Sequence, residues 1–155
     1  MTDQPVVLFC TTDTTEDITK SDKTPPHALY NIDITLAHVN NGKGMWSLAK
    51  GGKADHKKIE PGLVIFLGRG SEGGYKYRAT VVSTEVKDFP DVPVPDWYNK
   101  DKYKYPFIIT DLRRLKVPIK PAEFNEFKTH FTRAYTWVTG NPAQNFLTRP
   151  YEVIF

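Results

Sequence analysis

The chain has 155 residues, a single cysteine, 13% aromatic residues and a formal net charge of +3. That length fits one domain of the usual ~100–200 residues and suffices to bury a core, while Cys10 alone excludes a disulfide framework and a Cys-rich zinc site. No apolar run approaches the ~20 residues of a membrane helix, and Met1–Pro5 has neither the basic nor the apolar region of a signal peptide. The composition thus predicts a soluble domain in a reducing cytoplasm with no membrane partner. The charge is uneven: residues 1–40 hold two basic groups against six acidic ones, and residues 41–155 hold nineteen against twelve. A basic surface beside an acidic first segment suits a polyanion partner or plain solubility.

Val6-Val7-Leu8-Phe9-Cys10 is a short, β-branched apolar run that predicts a buried strand. After the Pro25-Pro26 break, Leu29, Ile32, Leu36 and Val39 recur at helical spacing up to Asn40-Asn41-Gly42, although Ile32, Ile34 and Leu36 also alternate like a strand. Gly44–Leu48 reads as a short strand, Lys50–Lys58 as a basic polar stretch and Ile59-Glu60-Pro61-Gly62 as a turn. Leu63–Leu67 and Tyr75–Val86 are strands about a glycine-rich hairpin tip, Gly68–Gly74. A proline-rich loop, Phe89–Trp97, precedes the strand Phe107–Leu112. Pro121 then starts a helix predicted over 121–136, in which Phe124, Phe127, Phe131 and Tyr135 recur at helical spacing. Trp137 is expected to pack with those phenylalanines. The tail carries Gly140, Pro142 and Pro150 before Tyr151–Phe155. The order predicts an α+β fold: a curved, mainly antiparallel sheet or small barrel with flanking helices, in one domain over 1–155.

Catalytic chemistry finds little footing. His27, His38, His56 and His130 lack metal-ligand spacing, and Cys10 lies inside an apolar strand, where a buried inert thiol is expected. Gly68-Arg69-Gly70-Ser71-Glu72-Gly73 has the form GxGxxG but sits between two strands and opens no helix. Asp88, Asp91 and Asp96 read as solvated loop charges. No catalytic residue, metal or cofactor is expected.

What remains is a binding constellation. Trp46 follows a glycine-flanked turn, and Trp97 ends the proline loop before Tyr98-Asn99-Lys100-Asp101-Lys102-Tyr103-Lys104-Tyr105. Aromatic faces interleaved with lysines offer what base stacking and phosphate contact require; the alternative is that both tryptophans plug the open end of the sheet.

Met45-Trp46-Ser47, Pro61-Gly62 with the strand behind it, and Trp97–Tyr103, together with the first strand Val6–Phe9, resemble the YTH/EVE group of the PUA-like superfamily. That group includes the EVE-like N-terminal DNA-recognition domains of McrB-type modification-dependent restriction GTPases. The likeness spans about 5–118, with Pro118 at the end of the family core. It departs in a longer spacer before Asp101-Lys102, in Tyr103 where the family has Trp, and in an insertion over 19–44. It implies a module that flips a modified base (methylated adenine or modified cytosine) into an aromatic cage. Trp46, Trp97 and Tyr103 would form the cage, and Ser47, with Thr11 or Thr12, would contact the base edge. Lys50, Lys53, Lys100, Lys102, Lys104 and Arg69 are the first candidates for phosphate contact, with Lys57, Lys58, Arg78, Arg113 and Arg114 behind them. The resemblance favours DNA over RNA as partner, with any GTPase motor or nuclease outside these residues. A modified-RNA reader, an ASCH-like small-molecule enzyme and a protein-interaction domain are the alternatives.

Overall fold

A computed structural model describes residues 4–11, 43–48, 53–69, 74–92, 105–120, 122–123 and 135–153. The β-branched and aromatic runs form strands, as their side chains favour: β1 (Val6–Thr11), β2 (Gly44–Leu48), β3 (Val64–Arg69), β4 (Gly74–Ser83), β5 (Tyr105–Ile119), β6 (Tyr135–Thr139) and β7 (Tyr151–Val153). A four-residue helix, α1 (Lys53–His56), precedes β3, and α2 (Gly140–Leu147) joins β6 to β7. Between α1 and β3 the chain turns at Pro61-Gly62. Gly62 adopts φ 91° there, and its N–H donates to the Val81 carbonyl of β4.

The strands form one seven-stranded sheet in the order β2-β5-β4-β3-β1-β6, with β7 paired to β5. β1 runs parallel to β3, and every other pair is antiparallel. This is a mixed, mainly antiparallel, sheet-dominated α+β fold, as the sequence predicts at that level.

Side chains alternate between two apolar faces. Val7, Phe9, Phe66, Tyr75, Leu115 and Val138 pack on one face against Ala143 and Phe146 of α2. There Phe9 stacks on Phe66 at 4.8 Å and meets Tyr75 and Phe146 edge-on. Leu8, Cys10, Trp46, Leu48, Leu67 and Phe107 belong to the opposite cluster. That second cluster collects side chains from both ends of the sheet, β2 and β6, so the sheet curls around it.

Two irregularities set which residues face inward. Tyr75 and Tyr77 would share a face in a regular strand, yet they belong to opposite clusters. The register shifts between them, and the partner strand shifts between Leu67 and Gly68. In β5, Asp111 takes φ 57°, and the inward set passes from Phe107 and Ile109 to Leu112. Bulges of this kind turn a strand and re-aim its side chains.

The end of the chain departs from expectation. The helix predicted over 121–136 is helical at 122–123, but Tyr135 and Thr136 already belong to β6, which pairs with β1. Tyr135-Thr136-Trp137-Val138-Thr139 alternates β-formers, and pairing outweighs the helical spacing of the aromatics. Gly140 and Pro142, read as tail residues, lie in α2, whose first turn tolerates proline. The sheet continues past Pro118 through β6 and β7. The 29–39 segment and Phe124, Phe127 and Phe131 lie outside the described residues.

Candidate functional site

β2 carries Trp46 and Ser47 along the first residues of β5, with Trp46 opposite Phe107 and Ser47 opposite Pro106. Trp46 exposes none of its surface and belongs to the concave cluster. Ser47 is equally buried, and its hydroxyl donates to the Leu48 carbonyl at 3.0 Å. A base could touch the Trp46 ring only after the side chains covering it had moved.

The mouth of the concave face is spanned by α1. Trp137 of β6 donates its indole N–H to Asp55 Oδ1 at 2.7 Å. On the next residue, His56 Nε2 lies 2.9 Å from the Pro106 carbonyl oxygen of β5, and its ring meets Tyr105 at 5.5 Å. Adjacent α1 residues thus hold both sides of the curled sheet, β6 through Asp55 and the β2–β5 side through His56. Tyr105, Tyr135 and Trp137 pack partly buried against the cluster from this rim. Cys10 lies beneath it; full burial, and secondarily the Asp55 charge, push its thiol far above the usual cysteine range. It is therefore inert at neutral pH, as expected from its place in β1.

Outside this rim lies an open cleft of about 830 Å³, bordered by Val6, Lys57, Lys58, Glu60, Leu63 and Trp137 among others. Trp137 thus takes part in the concave core and the cleft; the phenylalanines expected beside it lie outside the described residues. Lys57 and Lys58 are exposed and form no ion pair with a described residue.

A second basic region covers the α2 face. Arg78 packs over Phe66 and Tyr151, at 5.9 and 4.9 Å, and donates to the Leu147 carbonyl at the end of α2. Burial lowers its pKa below the usual arginine value. Arg113 pairs with Asp111 at 2.7 Å, Arg149 pairs with Glu123, and Arg114 donates to the Tyr77 hydroxyl at 3.4 Å. These guanidiniums hold the structure together, so their charge is largely committed.

The other sequence candidates separate. Thr11 pairs with Gly68, at the end of β3 away from the register of Trp46. Lys53 is exposed at the start of α1, on the same short helix as the rim contacts. Arg69 pairs with Gly74 at the β3–β4 hairpin. Thr12, Trp97, Tyr103, Lys50, Lys100, Lys102 and Lys104 lie outside the described residues. The sequence reading missed the Asp55–Trp137 and His56–Tyr105 contacts; the alternation of β6 was the one signal that would have turned Trp137 toward the concave face. Among the described residues, no group of three or more His, Cys, Asp or Glu side chains could hold a metal, and no helix is long and apolar enough to cross a membrane.

Comparison with family models and with curated proteins finds no match.

Proposed function

We propose that this chain is a nucleic-acid-binding module that recognises a modified nucleobase, methylated adenine or modified cytosine. Its likeness to targeting domains of restriction systems makes DNA the first backbone to test. One observation carries the reading. Aromatic side chains from both ends of the sheet, Trp46 from β2 and Tyr135 and Trp137 from β6, meet on one concave face, whose mouth is spanned by a helix beginning with a lysine.

In this reading a base flipped from its stack enters the mouth. Trp46 forms the floor once the side chains covering it have moved, and Trp97 and Tyr103 would supply walls from the segment that leads directly into β5. A methyl group on the base adds about 0.8 kcal/mol of apolar burial. Discrimination sharpens where a wrong base leaves a buried polar group unsatisfied, at ~1–3 kcal/mol.

The test is a tryptophan-fluorescence titration with matched DNA and RNA oligonucleotides at two salt concentrations. The set carries adenine, N6-methyladenine, cytosine, 5-methylcytosine or 5-hydroxymethylcytosine. One modified DNA strand should bind best, and Trp97→Ala should erase the preference. Trp46 is tested as Trp46→Phe, because truncating so buried an aromatic to alanine costs ~3–5 kcal/mol of stability. Equal binding of all strands, or full preference in both variants, overturns the proposal.

A further inference from the structure

The cleft beside Trp137, lined from the start of β1, the segment between α1 and β3, and β6, pairs an aromatic ring with two lysines that the base-reading pocket does not use. We infer that it is a second nucleic-acid contact, taking one nucleotide unit of a single strand, with the base against Trp137 and the phosphate on Lys57 and Lys58. The inference rests on the proposed reading only in choosing a nucleic acid as partner.

Four observations support it. The cleft's volume, about 830 Å³, lies within the ~300–1,000 Å³ typical of small-ligand sites. Its aromatic wall is fixed: the Trp137 indole N–H is tied to Asp55 at 2.7 Å, and the ring packs against the concave cluster on its inner side. A platform held in this way is ready to receive a base without first being ordered. Its cations pair with no described residue: Lys57 and Lys58 are exposed neighbours just beyond α1, whereas Arg78, Arg113 and Arg149 are bound to internal partners. Finally, Val6 and Leu63 add apolar wall beside the ring. Among the described residues on the border, Glu60 is the one carboxylate against the two lysines.

An aromatic face with neighbouring ammonium groups is the pairing used to bind single strands without regard to sequence, the face for the base and the cations for the backbone. Because α1 joins this cleft to the mouth through Asp55 and His56, a strand could occupy both at once. The cleft would then supply affinity, and the mouth would supply preference.

The experiment compares wild type with Lys57→Glu/Lys58→Glu and with the milder Lys57→Gln/Lys58→Gln, each first checked by circular dichroism. The probes are an unmodified single-stranded DNA 8-mer, the same 8-mer with one N6-methyladenine, and adenosine 5′-monophosphate, measured calorimetrically across a salt series. Charge reversal should weaken both 8-mers at least tenfold and to the same extent. It should also flatten the slope of log affinity against log salt by about 0.7, the share of the one phosphate that the lysine pair holds. The glutamine pair should fall between reversal and wild type.

Unchanged affinity and slope in both variants overturn the inference. So does loss of the preference ratio on charge reversal, which would make the cleft the reading pocket itself. Mononucleotide binding as tight as the 8-mer overturns it in favour of a free nucleotide, and failure of wild type to bind any strand overturns it outright. Equal wild-type affinity for the two 8-mers sinks N6-methyladenine reading alone, and the charge-reversal result still decides the cleft.

Discussion

The bridge made by α1 yields the sharpest prediction about the fold beneath the site. Trp137→Phe keeps an aromatic ring in β6 but removes the indole N–H that Asp55 accepts at 2.7 Å, along with part of the ring that packs on the concave cluster. Hydrogen bonds to charged groups contribute ~1.5–3 kcal/mol. This one is partly buried, so about 1–2 kcal/mol is the figure to expect. Asp55→Ala removes the same bond from the other side, together with a solvated charge. The double variant should therefore be no less stable than the sum of the separate effects reduced by that 1–2 kcal/mol coupling. Equilibrium urea unfolding followed by far-ultraviolet circular dichroism is the suitable assay, since two of the variants lack a tryptophan. At a slope of ~2 kcal/mol per molar, each single substitution should move the midpoint by about 0.5–1 M. A coupling below about 0.3 kcal/mol would lie within ordinary additivity error and would refute a helix that clamps β6 across the mouth.

Three further outcomes follow from local geometry. At Gly74, φ is 96° and an added Cβ would lie 2.5 Å from the Ile119 carbonyl oxygen, whereas at Gly62, with φ 91°, it would meet nothing within 4 Å. Gly74→Ala should thus cost at least ~2 kcal/mol and Gly62→Ala only ~1; equal losses of melting temperature would contradict the close approach of β4 to the end of β5. Cys10 should resist a thiol-specific chromogenic reagent in the native protein at pH 8 and react promptly in urea; native reactivity would mean that β1 is not buried. Burial alone would raise the Glu123 carboxyl, but Arg149 and the Lys120 N–H hold it below its ordinary value. Its contribution, about 1 kcal/mol for a single partly buried pair, is present above the unfolded pKa of ~4.3 and fades as pH falls through the lower folded value. Glu123→Gln should accordingly narrow its stability gap to wild type in acid, which thermal melts from pH 7 to pH 3 would show.

Much of the sheet can be read from local sequence because its strands are self-announcing. Val6–Cys10 and Leu63–Leu67 are short apolar runs, the second set off by Pro-Gly, and Gly44–Leu48 matches β2 residue for residue. The C-terminal third is harder, because Tyr135 fits two periods at once: it closes a helical series begun by Phe124 and opens an alternating series ending at Thr139. Only pairing with β1, far earlier in the chain, decides between them. The site was legible in composition and not in geometry. A tryptophan beside a glycine turn looks exposed in sequence, yet Trp46 lies in the core, because curling brings the other edge of the sheet over its cluster. Asp55 and Trp137 stand 82 positions apart, so their contact belongs to the tertiary fold and leaves no local pattern.

The position of β1 governs how the molecule can be made. Val7 finds its two neighbours at Val64 and Val138, so β1, the earliest of the described strands, stays incompletely paired until β6 has been made. Such distant pairing slows folding and prolongs exposure of unpaired apolar backbone. Until β6 emerges, the run Val6-Val7-Leu8-Phe9-Cys10 presents an open edge of high β-propensity, a template for association between nascent chains. A version shortened to residues 5–118 would keep that edge open permanently, so precipitation, not loss of ligand contacts, would be its first defect.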